Sequence, residues 1–257
     1  MARELRRLLI DPQRLRLSPG EVLLQEPEQH YLGRVLRCRR GDQVALVDGQ
    51  GSLWTAVLTN ESLLQLEQPL EAPLENQPAP WPWLELAMAP PKREVELVWR
   101  MATELGADRF QPLRAQRSQT GPRLPLERWR TIVAEAAEQC ERLWLPALAE
   151  PLEALDWFDA VPQGPRLLAT TRHGGLPQLA ELLPCLLRQG ETAGLSLAIG
   201  PEGGWSPQEE EAAQAGGWRL VSLGPSILRT STAAVAAIAA LAAWRSLSCA
   251  SSPSPSP

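Results

Sequence analysis

Apolar and polar positions keep two different rhythms along this chain of 257 residues. In the first third, short strand-like runs at 43–47 and 54–58 are punctuated by Gly41-Asp42 and by Asp48-Gly49-Gln50-Gly51, which read as turns of a compact β-rich module. One helix is expected there, over 28–37. After residue 83 the pattern changes. Apolar runs at 84–89, 110–113, 167–170, 195–199 and 220–223 alternate with segments of helical period, as in a parallel sheet with helices between its strands. The stretch 63–83 separates the two regions, because Pro69, Pro73, Pro78, Pro80 and Pro82 resist both a helix and a central strand. The expected division is therefore 1–74 for a β-rich domain and 75–247 for an α/β domain. The Ser-Pro repetition of 248–257 cannot bury apolar surface, and that tail is expected to be disordered.

Two predicted helices carry distinctive patterns. Over 127–143, Trp129, Ile132, Val133, Ala136, Ala137, Cys140 and Leu143 recur at helical spacing, which leaves Glu135, Gln139 and Arg142 together on another stripe. Thr230, Ser231 or Thr232 can cap a final helix whose next residues, 233–244, are all apolar. Such a helix is expected to have no water-facing side, and it is buried either against a second subunit or deep within its own domain.

Composition narrows the setting. The four cysteines, Cys38, Cys140, Cys185 and Cys249, lie far apart with no C-x-x-C pair, which argues against a zinc site and a disulfide framework and for a reduced, cytoplasmic compartment. No metal is expected. Residues 1–9 lack the apolar run of a signal peptide, and the apolar stretch 233–244 is shorter than the roughly 18 residues of a spanning helix, so no membrane partner is expected. The net charge of −5 conceals two basic segments. Arg34, Arg37, Arg39 and Arg40 crowd one; Arg109, Arg114, Arg117, Arg123, Arg128 and Arg130 form the other. Either can neutralise nucleic-acid phosphates, and either reads equally as solvated arginine on helix faces.

The candidate chemistry sits late in the chain. No Gly-x-Gly-x-x-Gly turn follows the first α/β strand, so the common dinucleotide fingerprint is absent. Instead Ile199-Gly200-Pro201-Glu202-Gly203-Gly204-Trp205-Ser206 follows one strand and Leu223-Gly224-Pro225-Ser226-Ile227-Leu228-Arg229-Thr230 follows the next. Glycines at strand ends let backbone groups approach a ligand, where open α/β sheets bind them. The alternative is a pair of plain strand-to-helix turns.

With these loops and their order along the chain, the sequence resembles the bacterial SPOUT-superfamily methyltransferases that modify uracil N3 in 16S ribosomal RNA. The resemblance covers nearly the whole chain. It rests on His30 with Val35-Leu36-Arg37 and Gly41-Asp42; Asp48-Gly49; Lys92 and Thr103-Glu104-Leu105-Gly106; Pro112 with Arg117-Ser118; and Glu138-Gln139-Cys140 with Arg142 and Pro146. The two glycine loops and Thr232-Ala233 complete it. It implies a C-terminal trefoil-knotted parallel α/β domain, a smaller N-terminal β-barrel-like domain of PUA type, a homodimer, and action on 16S ribosomal RNA or the small ribosomal subunit. It also implies that S-adenosylmethionine is held by Thr171, Ile199, Gly200, Pro201, Glu202, Gly203, Gly204, Leu223, Gly224, Ser226, Ile227, Leu228 and Thr232. Arg229 is then the catalytic residue, stabilising a uracil anion or gripping a phosphate. Arg34, Arg37, Arg40, Lys92, Arg117, Gln139 and Arg142 become candidates for RNA contact. Lys92 is the only lysine among the 25 basic side chains.

Two positions depart from the family pattern. Ser231 stands where glutamate is usual, and a serine there still serves as a helix cap. Met101 stands where lysine is frequent, next to Arg100. His30 reads as a packed histidine, and His173 as loop structure or part of the donor pocket. No side chain stands out as a general base, which leaves the proton to solvent. Two other readings stay open: an inactive RNA-binding dimer of the same fold, and another nucleotide-using α/β enzyme.

Overall fold

The computed structural model describes residues 5–18, 20–121, 123–160, 164–171, 173–186 and 194–250. They form two compact units: Met1–Ala79 with Ala137–Leu145, and Pro80–Ala136 with Pro146–Pro257.

The first unit is a six-stranded sheet. Strands β1 (Arg7–Leu9), β2 (Glu21–Leu23), β3 (Gln43–Val47), β4 (Ser52–Asn60) and β5 (Leu63–Leu66) take the order β1-β3-β4-β5-β2, and β6 (Glu75–Asn76) pairs with β4. All pairs are antiparallel except β1 with β3. Leu8, Ile10, Val44, Leu46, Trp54, Leu58 and Leu64 fill its core. Helix α1 (Pro12–Leu17) follows β1, and the expected helix over 28–37 is α2 (Glu26–His30) continued by a π-helical segment, Tyr31–Val35. Two expectations change here. The start of the proline-rich stretch does pair as a strand, β5, because its prolines begin only at Pro69. The division between units falls at Ala79 instead of 74/75, and 137–145 joins the first unit. Hydrogen bonding explains the second point: Leu9 N–H donates to Glu138 (2.6 Å), Arg7 pairs with Glu141 (3.0 Å), Gly51 N–H donates to the Leu143 carbonyl, and Leu145 N–H to that of Gly49.

The second unit holds an all-parallel sheet. Its strands β7 (Trp83–Met88), β8 (Arg109–Arg114), β9 (Ala147–Leu148), β10 (Leu152–Glu153), β11 (Arg166–Ala169), β12 (Gly194–Ile199) and β13 (Arg219–Val221) take the order β10-β8-β7-β12-β11-β13, with β9 beside β8. Every residue of β12 is buried, as expected of a central strand covered on both faces. Alternation sorts the side chains. Leu84, Leu86, Met88, Leu195, Leu197 and Ile199 meet one helical layer, of α3 (Val95–Glu104), α4 (Leu126–Gln139), α6 (Leu179–Leu186) and α8 (Thr230–Ala250). Ala87, Ala89, Ala198 and Leu168 face the other, where α5 (Ala154–Asp159) and α7 (Pro207–Ala215) enclose Trp157, Phe158, Trp205 and Trp218. Small strand residues on that face make room for the indoles.

Helix α4 stops at Gln139 instead of reaching 143, because Glu141 takes a left-handed φ of 63°. Arg142 therefore lies beyond the helix and off the stripe shared by Glu135 and Gln139. Helix α8 continues to Ala250, three residues into the segment expected to be disordered; 251–257 lies outside the described residues. By length and composition Thr230–Leu247 is apolar enough to cross a membrane, which the shorter apolar count did not anticipate. Here Ala234, Ala237, Ile238, Leu241 and Trp244 are packed into the core, while Thr232, Ala236, Ala243 and Ser246 are exposed. The helix thus has a water-facing side in the single chain. Its alanines count as apolar but cover little surface.

Candidate active site

Strands β11, β12 and β13 are neighbours, so the loops after Ala169, Ile199 and Val221 emerge side by side at the C-terminal edge of the sheet. They enclose a cleft of about 800 Å³. The loop after β12 is pinned on three sides. The Thr230 hydroxyl donates to the Gly200 carbonyl at 3.0 Å, the Trp205 indole to Ala169 at 3.0 Å, and Arg117 Nη1 to the carbonyls of Gly203 and Trp205 at 3.2 and 2.9 Å. Beyond it, Ser206 and Glu209 cap α7 reciprocally, the Ser-x-x-Glu device. Gly204 and Gly224 carry φ values of +71° and +136°, which side chains other than glycine rarely adopt.

Thr171, Ile199, Gly200, Pro201, Glu202, Gly203, Gly204, Leu223, Gly224, Ser226, Ile227, Leu228 and Arg229 all line this cleft. Thr232 does not; it is exposed on the first turn of α8. Arg229 is exposed at the start of α8 and forms no ion pair among the described residues. Arg117, expected at an RNA surface, lines the cleft and spends its guanidinium on carbonyls. Lys92 is exposed, and its backbone N–H donates to the Glu202 carboxylate at 3.1 Å.

The two basic segments separate clearly. In the later one Arg109 stacks 4.2 Å from the Trp83 ring centre, Arg114 faces Glu153 at 3.9 Å, Arg128 pairs with Glu96 and Arg130 with Glu127 and Glu150. Hydrogen bonds from Arg128 hold the Glu96 carboxyl below its ordinary value. In the earlier one Arg34, Arg37, Arg39 and Arg40 are all exposed, and among the described residues none has an ion pair. Gln139, exposed, and Arg142, half-buried, belong to the same unit as these four arginines.

The cleft lining extends beyond the expected donor contacts, and Thr170, Trp205 and Glu210 are among the residues it adds. The capping pattern marks Glu209 and so the start of α7, but nothing in the sequence shows that the next residue turns to the cleft. There Glu210 accepts the Thr170 hydroxyl at 2.5 Å and lies 2.9 Å from His173 Nε2. Among the described residues no group of three or more His, Cys, Asp or Glu is placed to hold a metal ion.

A cleft of this size at the strand ends, walled by glycine loops and rimmed by a cation, defines an α/β ligand-binding domain, here preceded by a β-rich unit. Comparison with known proteins gives the family. An RNA methyltransferase domain model matches residues 78–242, and an RNA methyltransferase PUA domain model matches 24–67. The chain is 41% identical to the Ribosomal RNA small subunit methyltransferase E of Synechocystis sp., covering 91% of this chain and 76% of that protein. To the protein of that name from Mycobacterium bovis it is 31% identical, over 83% of each. Among solved structures, Ribosomal RNA small subunit methyltransferase E from Neisseria gonorrhoeae, bound to S-adenosyl methionine, superposes with a TM-score of 0.78 at 26% identity, covering 93% of this chain and 97% of that one. A Legionella pneumophila structure in complex with the bound cofactor SAM gives 0.77 at 26%, covering 93% and 98%. This chain belongs to the Ribosomal RNA small subunit methyltransferase E family of RNA methyltransferases. Its fold is accordingly a SPOUT-type trefoil-knotted parallel α/β domain with a smaller PUA-type domain, one of the rare exceptions to unknotted topology.

Proposed function

We propose that this chain, as a cytoplasmic homodimer, uses S-adenosylmethionine to methylate N3 of a uridine in 16S ribosomal RNA of the small subunit. One observation carries the reading: two glycine loops and Arg229, which has no ion pair among the described residues, close on one cleft. The cleft fits the donor. Its volume suits a ligand of that size, its glycines expose backbone amides and carbonyls to an adenine, and Ile199, Leu223 and Leu228 give it an apolar lining. When bound, S-adenosylmethionine supplies a methyl group on a cationic sulfur. The residues of the two loops orient it, and Thr170, Thr171 and Ser226 offer hydroxyls along the wall.

Uracil N3 has no useful lone pair until its proton leaves. Arg229 places a guanidinium at the rim, where it stabilises the resulting anion, and solvent takes the proton. The exposed arginines of the first unit, with Lys92 of the second, hold RNA phosphates. Calorimetric titration with S-adenosylmethionine, together with mass spectrometry of 16S ribosomal RNA from cells lacking the protein, tests the proposal. Donor binding and loss of one N3-methyluridine are expected; an unchanged RNA, or binding of a nucleoside triphosphate in place of the donor, overturns it.

A further inference from the structure

We infer that the Glu210 carboxylate reads the positive charge of the methyl donor and so separates it from the demethylated product. The inference rests on the proposed function and adds a charge-selective residue to the site.

Its neighbour Glu209 is already committed. That side chain is only 1% exposed and accepts from the backbone of Ser206 at 2.8 Å and of Gln116 at 2.8 Å. One position on, roughly 100° around α7, Glu210 turns to the cleft instead. Its side chain is 15% exposed, while His173 above it is 45% exposed. Oε1 accepts the Thr170 hydroxyl and Oε2 faces His173 Nε2. Neither neighbour delivers a fixed charge: the hydroxyl is neutral, and the imidazole is charged only when protonated.

Among the described residues no lysine or arginine pairs with Glu210, although Arg117 and Arg229 line the same cleft. Arg117 is spent on carbonyls and Arg229 stands at the exposed rim. The other lining carboxylate, Glu202, is exposed and screened by water. Among the described residues Glu210 is thus the lining carboxylate withdrawn from solvent, where attraction to an entering cation exceeds its value in water. The donor and its product differ by one methyl group and the charge it leaves on sulfur. A wall carboxylate distinguishes that charge; apolar contacts and backbone hydrogen bonds to the shared adenosine do not.

The experiment is calorimetric titration of the full chain with S-adenosylmethionine, with S-adenosylhomocysteine, and with sinefungin, which carries an amine cation where the donor carries its methylsulfonium. Wild-type protein is expected to bind both cationic ligands about tenfold more tightly than the homocysteine compound. Glu210→Gln keeps an acceptor for Thr170 and removes the charge, so it should weaken the cationic ligands to that level while leaving the neutral one within twofold. His173→Gln, which leaves the carboxylate in place, should preserve the preference. Equal loss for all three ligands in Glu210→Gln, or no loss, overturns the inference and leaves the proposed function standing. The wild-type series alone decides the matter if the variant does not fold, because equal affinity for cationic and neutral ligands is incompatible with a charge-reading wall. Wild-type protein that binds none of the three overturns both readings.

Discussion

The Ser231 hydroxyl donates to the Glu94 carboxylate at 2.7 Å, tying the first turn of α8 to the residue that opens α3. Glu94 holds a left-handed φ of 67°, and no side-chain cap accompanies it. Where the family pattern places a glutamate at position 231, this chain brings a carboxylate to the same helix end from another loop, and a carboxylate there also favours the helix dipole. Ser231→Ala is expected to cost about 0.5–1.5 kcal/mol, the net worth of one hydrogen bond. Ser231→Glu should cost more, since it sets two carboxylates together, and the excess should shrink as salt is added. Urea unfolding at two ionic strengths measures both; a fully neutral Ser231→Ala would show that the contact contributes nothing.

Arg229→Ala should lower the methylation rate by one to several orders of magnitude, a loss of about 2–4 kcal/mol of transition-state stabilisation. Donor affinity should stay nearly unchanged, because Arg229 is exposed at the start of α8 while the two glycine loops, the proposed donor contacts, form the cleft wall. Single-turnover methylation beside calorimetry separates the two effects. Collapse of donor binding would remove Arg229 from the catalytic role.

A Cβ added to Gly203 would lie 3.0 Å from Arg117 Cβ, so Gly203→Val must displace the arginine that pins the loop. Donor affinity is expected to fall at least about tenfold, with the fold retained. Thermal melting and calorimetry on the same sample check this; a folded variant with wild-type affinity would mean that Arg117 does not shape the cleft.

That contact is invisible in the sequence, which marks Gly203 for the donor and Arg117 for RNA without placing one against the other. What was legible is what local pattern encodes. The apolar runs ending at Ile199 and near Val221 announce buried parallel strands, and the glycines after them announce the loops. Long-range pairing carried the rest. Arg128 meets Glu96 across 32 positions and Glu210 meets Thr170 across 40, so neither the neutralised basic segment nor the cleft carboxylate shows in any window. Glu141 ends α4 in a left-handed conformation without being glycine, so no terminating signal was available. The trefoil knot came from family likeness, since periodicity carries no information about threading.

Burial pushes the Glu85 carboxyl above its ordinary value, although the Ser196 hydroxyl at 2.5 Å and nearby Arg109 both pull it down. A carboxyl raised on folding contributes stability that is fully present below its unfolded value of about 4.3 and is lost as pH rises through the folded value. Glu85→Gln removes the charged form altogether. It is expected to be more stable than wild type at neutral pH, with the difference closing in acid. Denaturant midpoints at pH 4 and pH 7 test the sign, and a variant less stable at pH 7 would show that the Ser196 and Arg109 contacts outweigh burial.

The exposed arginines of the first unit should set the salt dependence of RNA binding. The later basic segment is largely neutralised by partners within its own domain, whereas among the described residues Arg34, Arg37, Arg39 and Arg40 of the first unit are exposed and have no ion pair. Each guanidinium that sits on a phosphate releases condensed counterions, so the logarithm of affinity falls with the logarithm of salt by roughly 0.7–0.9 per contact. Replacing Arg37 and Arg40 together by alanine should therefore weaken RNA binding at low salt and flatten that slope by roughly 1.5. Replacing Arg128 and Arg130, already held by Glu96, Glu127 and Glu150, should leave the slope unchanged. Filter binding across a salt series compares the two pairs directly. If the Arg128 and Arg130 variant flattens the slope and the Arg37 and Arg40 variant does not, the ion pairs open on RNA and the phosphate-binding surface lies on the α/β domain.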